Sequence, residues 1–215
     1  MLISHSRRFI FIHIQKTAGQ SLATALAPYC SRPPRVGLRR VLSHLPVPED
    51  PEKAAFRPHA TAAWVRFKMT PRVFEGFTRF SVVRNPFDRA VSNYHFLKQR
   101  PGHHSHEHVK ALSFDAYLDF VRRRRWQRDP TQISRLVDGR GRLLCDPILR
   151  LETLATDYAE LCRQLSLDDA SGLPRRNSSR HEPYRSYYAS AVTRGKLVDL
   201  FARDFEAFGY DTRLE

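Results

Sequence analysis

The sequence predicts an α/β fold built on a central parallel sheet with helices on both faces, and three stretches carry that prediction. Phe9 to Ile14 and Phe77 to Val83 are near-continuous apolar runs rich in aromatic and β-branched residues, the composition of strands covered on both faces. Each gives way at once to a polar turn and then to residues of helical composition. Ile148 to Leu151 is a third, shorter apolar run, and Leu154, Tyr158, Leu161 and Leu165 after it are spaced as one helical face. Strand, turn and helix in this order build parallel sheets, whose ligands bind at the carboxyl ends of the strands.

The first unit changes character at Gln15. Lys16, Thr17, Ala18, Gly19, Gln20 and Ser21 supply small residues, two hydroxyls and one ammonium, and Leu22 to Leu26 resume with good helix formers. Unpaired N–H groups at a helix start, helped by the macrodipole, bind oxyanions, so the loop reads as a phosphate cradle in which Gly19 lets the backbone come close. It is P-loop-like without matching G-x-x-x-x-G-K-[ST], because Lys16 stands first in the loop rather than late. A strand, a polar turn and an Ala-rich helix also occur without any ligand, and the loop alone leaves that alternative open.

Residues 27 to 58 carry seven prolines and read as loop with short helices, either a surface excursion or a lid. His59 to Phe67 has helical composition. Phe77 to Val83 ends in Arg84-Asn-Pro-Phe-Asp-Arg-Ala-Val-Ser-Asn-Tyr94, where Asn85 suits an N-cap, Pro86 the first helical position and Asp88 the first turn. Arg84 then sits at a strand tip and Ser92 on the helix face of Asp88, so a guanidinium and a hydroxyl can hold one phosphate. The alternative for Arg84 and Arg89 is ion pairing to Asp88 and neighbouring carboxylates, and for Ser92 a bond within its own turn.

His103, His104, His106 and His108 suggest a metal tract, yet no cysteine accompanies them, and a solvated or acceptor-facing loop is the expectation. Phe114 to Arg125 reads as an amphipathic helix ending in four arginines, a basic helix end or a dock for an anionic acceptor. Leu143 to Cys145 is a strand candidate. Residues 168 to 183 form a polar loop leading into Tyr184 to Tyr188, and Ser190 can cap a last helix with Val198, Phe201 and Phe205 facing the core.

At 215 residues and 41% hydrophobic content the chain can bury one full core, which predicts a single domain over 1–215. No apolar run approaches the roughly 18 residues of a membrane span and no secretory leader is recognisable, so a cytoplasmic protein is expected. Cys30, Cys145 and Cys162 are too few and too scattered for a disulfide framework or zinc knuckle. The net charge of +14 implies an anionic partner, whether nucleic acid, membrane surface, acidic polymer or phosphorylated cofactor, the alternative being a basic bias spread over a solvated surface.

His13-Ile-Gln-Lys-Thr-Ala-Gly-Gln-Ser21 resembles the phosphosulfate-binding loop of sulfotransferases, in the carbohydrate branch (heparan-like, sulfotransferase family 2) whose strand ends in His-Ile-Pro-Lys-Thr-Gly-Gly-Thr-Ser. Gln15, Ala18 and Gln20 depart from that pattern. Val83 to Tyr94 matches the family's Val-Arg-Asn-Pro-x-x-Arg-x-x-Ser-x-Tyr, the 3′-phosphate motif, position by position. The resemblance, to a short soluble member of bacterial type, spans nearly the whole chain. It implies transfer of a sulfuryl group from 3′-phosphoadenosine 5′-phosphosulfate (PAPS) to a hydroxyl of a carbohydrate, leaving adenosine 3′,5′-bisphosphate (PAP), without a metal and with no nucleic acid as partner. It implies donor contacts from residues 16 to 21, from Arg84 and Ser92, and from Asn177, Ser178 and Arg185 of a late loop. His59, in a His-Ala-Thr-Ala segment between the motifs, looks like the general base, with Lys16 at the bridging oxygen and His13 positioning Lys16. A kinase would need the late-loop Gly-Lys-[ST] and an acidic metal ligand, and a nucleic-acid or polyanion binder a reader motif; neither is apparent.

Overall fold

In the computed structural model the residues described are 1–30, 37–54, 56–125, 127, 129–168, 173 and 182–214. Their contacts divide the chain into two compact units, Met1–Val83 with Arg135–Arg176, and Arg84–Ser134 with Asn177–Glu215.

The first unit holds a four-stranded sheet in the order β1-β2-β3-β4. β1 (Leu2–Ser4) runs antiparallel to β2 (Phe9–Ile12), and β2 pairs in parallel with β3 (Thr78–Val83), with Phe11 opposite Phe80. β3 pairs in parallel with β4 (Ile148–Arg150), Ser81 opposite Ile148. The parallel core follows the predicted runs, while the antiparallel edge strand is an addition to the expected all-parallel sheet. Phe9, Phe11, Phe80, Val82 and Leu149 pack with Leu22, Leu154, Tyr158 and Leu161 into one core, and Ile10 and Ile12 on the opposite face of β2 are equally buried. Apolar runs rather than alternation are what two covered faces require. Leu143–Cys145, expected as a strand, makes only a single bridge, Leu143 to Val137.

Between β2 and β3 lie α1 (Gly19–Ala25), α2 (Gly37–Leu42), α3 (Ala62–Met69) and α4 (Pro71–Glu75). The proline-rich segment is tied down after α2. Fully buried Lys68 of α3 donates to the Leu42 carbonyl at 2.7 Å and pairs with Glu49, whose N–H returns to the Lys68 carbonyl at 3.0 Å.

The second unit is helical. It comprises α5 (Pro86–Lys98), α6 (His106–Val109) and α7 (Phe114–Arg124), then, beyond the α8 (Leu154–Gln164) of the first unit, α9 (Ala191–Phe208). Side-chain caps start three of these helices as predicted or by the same chemistry: Asn85 accepts from Phe87 N–H, Ser113 from Ala116 N–H and Ser190 from Val192 N–H. Phe87 is the hub, edge-on to Tyr188 at 4.8 Å and to Phe205 at 5.2 Å, with the Tyr188 hydroxyl donating to the Phe87 carbonyl at 2.8 Å. Among the described residues no helix is long and apolar enough to cross a membrane.

Candidate functional site

The loop after β2 is built from inside. Thr17 is fully buried and its hydroxyl donates to the Ile14 carbonyl at 2.9 Å, closing the turn behind the strand. Lys16 and Ala18 both take left-handed backbone, φ 68° and φ 58°, a conformation that costs a non-glycine residue about 1–2 kcal/mol. Two such residues within three positions are the kind of strain that concentrates at ligand-binding turns. Ala18 is the N-cap of α1 and gives no side-chain cap, so backbone N–H groups rather than a capping oxygen define the helix mouth. Ser21 is buried on α1, Gln20 is exposed, and the Lys16 ammonium stem is half-buried.

Gly19 has a packing reason to be glycine. A Cβ there would lie 1.8 Å from His13 Nε2, so the absent side chain is what seats the His13 ring against α1. That ring stacks over Phe11 with centroids 5.8 Å apart and meets the His59 ring at 4.5 Å. Burial, then the positive N-terminus, then His59 push its pKa from the usual value down to about 3, so His13 stays neutral throughout the working pH range.

His59 lies just outside α3, whose first turn is capped by the Thr61 hydroxyl accepting from Trp64 N–H; the predicted helix starts three residues later than His59. Its Nδ1 is 3.2 Å from the His13 carbonyl. A carbonyl only accepts, so Nδ1 carries the hydrogen, and the neutral imidazole has its lone pair on Nε2. Sequence reasoning linked His13 to Lys16; the structure links it, through backbone and ring, to His59.

In the second unit Arg84 engages Asp88 through two bonds, Nε to Oδ2 at 2.8 Å and Nη2 to Oδ1 at 2.7 Å, with both side chains largely buried. The ion-pair alternative raised by the sequence is therefore real for Arg84. Arg89 donates to the Pro130 carbonyl at 3.0 Å and acts electrostatically on the Asp204 carboxyl. Ser92 is buried on α5. Arg185 is exposed in the short 3₁₀ turn Tyr184–Tyr188, and Asn177 and Ser178 lie outside the described residues.

The histidine loop has local structural partners. His103 accepts from Ser105 N–H at 3.1 Å and stacks on His104, and His106 Nδ1 donates to the Leu97 carbonyl at 2.9 Å. Arg122 pairs with Asp199 and Arg124 lies over the Phe120 ring at 4.6 Å. Burial pushes the Cys145 thiol up to about 12, which makes it an inert core residue.

Two strand-to-helix junctions carry the candidate residues, a strained, lysine-bearing turn in the first unit and an arginine and a buried serine at the start of the second. The chain belongs to the sulfotransferase family, whose model matches residues 1–211. Its fold is similar to that of the crystal structure of mouse sulfotransferase SULT7A1 complexed with PAP, with a TM-score of 0.56 at 12% identity, over 95% of this chain and 86% of that one. No curated protein matches the sequence.

Proposed function

We propose that this chain transfers a sulfuryl group from PAPS to a hydroxyl, with a carbohydrate as the acceptor class, and that its two units work as one domain over 1–215. The family match across both units supports this reading, as does the PAP complex of the mouse neighbour. The observation that carries the chemistry is the His59 Nδ1 to His13 carbonyl hydrogen bond, because it sets the tautomer a general base needs. The donor set also suits the nucleotide: Lys16, Arg84 and Arg89 are cations, and Ser21 and Ser92 add hydroxyls.

When bound, PAPS supplies a sulfuryl group already activated by its link to the 5′-phosphate. His59 Nε2 takes the proton of the acceptor hydroxyl as that oxygen bonds to sulfur. Lys16 balances the charge left on the 5′-phosphate oxygen as its bond to sulfur breaks, and its donation is strongest where charge develops. Residues 18 to 21 present backbone N–H groups to the 5′-phosphate, Arg84 and Ser92 hold the 3′-phosphate, and Arg185 with Asn177 and Ser178 reaches the nucleotide from the late loop. No step calls for a metal. Incubating the protein with ³⁵S-labelled PAPS and a panel of glycans tests the reading: label should pass to one glycan class with EDTA present. Label that stays on PAPS with every glycan, or transfer that needs magnesium, contradicts it.

A further inference from the structure

Gln132 belongs to none of the motifs, yet its side chain is fully buried and makes two hydrogen bonds to the backbone of a single residue. Oε1 accepts from Arg84 N–H at 3.0 Å, and Nε2 donates to the Arg84 carbonyl at 2.8 Å. One amide side chain thus does for Arg84 what a neighbouring strand does for a residue within a sheet. The clamp is itself anchored. Gln132 N–H lies 2.8 Å from both carboxylate oxygens of Asp204, and Ile133 N–H donates to Oδ1 at 2.9 Å. Asp204 is a fully buried carboxylate on α9, and Arg89 fastens the same segment through the Pro130 carbonyl.

Arg84 is therefore held at both ends, its backbone by Gln132 and its guanidinium by Asp88. Fixing the backbone fixes the direction in which the long side chain leaves it. A buried polar clamp of this kind, isolated from solvent and spent on one residue, costs desolvation that an apolar side chain of equal volume avoids. We infer that Gln132 is a positioning residue for the 3′-phosphate arginine, with Asp204 holding Gln132 in place. The inference rests on the assignment of Arg84 to the 3′-phosphate. Chemistry at Gln132 is demanding: an asparagine is one methylene short, and a glutamate offers no hydrogen to the Arg84 carbonyl.

The test compares affinities for PAP and for adenosine 5′-monophosphate, which lacks the 3′-phosphate, in wild type, Gln132→Leu, Gln132→Asn and Arg84→Gln. Gln132→Leu should weaken PAP by about tenfold and leave adenosine 5′-monophosphate unchanged, and should add little in an Arg84→Gln background. Gln132→Asn, smaller and still polar, should show the same selective loss and keeps the test open where the leucine variant does not fold. Equal weakening of both nucleotides, or unchanged PAP binding, overturns the positioning role. Arg84→Gln reports separately on the underlying assignment: if it binds PAP as wild type does, that assignment fails; if it alone loses PAP selectively, only the role of Gln132 fails.

Discussion

At the scale of single residues, His13, which the sequence tied to Lys16, is coupled in the structure to His59. His13 is kept neutral by burial, and its carbonyl orients His59. Because the folded-state pKa of His13, about 3, lies below the ordinary value near 6.5, the unfolded chain binds this proton first on acidification. Its contribution to stability is complete above about 6.5 and is lost as pH falls from there toward 3. Urea denaturation at pH 6.5 and 5 should show a loss of up to about 2 kcal/mol that His13→Gln largely removes; the same loss in the variant would place the titration elsewhere. Lys16→Ala should reduce kcat strongly and PAP affinity only slightly, since the proposed mechanism sets its ammonium against charge that grows in the transition state. Parallel losses in both would make Lys16 a ground-state binding residue.

At the scale of elements, the turn between β2 and α1 is shaped by two tight requirements. Gly19→Ala drives a methyl into His13 Nε2 and should cost roughly 1–3 kcal/mol, the usual range for overpacking. Removing the ring relieves it, so in a His13→Ala background the same change should cost far less in a thermal denaturation cycle. Equal cost in both backgrounds would mean that the methyl meets something other than His13. Ala18, left-handed at φ 58°, stands where the resembling loop has glycine, and Ala18→Gly relieves strain at the expense of backbone entropy. The strands and capped helices were legible because each is a local signal: an apolar run, or Asn, Ser or Pro at a helix start. β1 was not, since three residues give no period to read. Leu143–Cys145 looked like a strand because composition reports apolarity and not whether a ladder continues; Asp138 and Arg142 bond across the turn beside it instead.

At the scale of the whole chain, the motifs pointed to the family and named the candidate residues, whereas the contacts those residues make were hidden. His13 reaches His59 across 46 positions and Gln132 reaches Arg84 across 48, and no spacing rule connects residues so far apart. The net charge of +14 admitted several anionic partners, and the proposed function narrows these to a nucleotide with two phosphate groups. PAP should accordingly raise the melting temperature more than adenosine 5′-monophosphate at equal concentration, by mass action on a two-phosphate site. Equal stabilisation by both would leave the 3′-phosphate without a partner.

The most direct measurement is single-turnover sulfuryl transfer from bound PAPS to a glycan acceptor, made side by side in wild type and His59→Ala with PAPS affinity measured for each. The tautomer set by the His13 carbonyl puts the proton-accepting lone pair on His59 Nε2, so the variant should bind PAPS as wild type does and transfer on the order of 10² to 10⁴ more slowly. Transfer at the wild-type rate, or a loss explained entirely by weaker PAPS binding, would contradict His59 as the base.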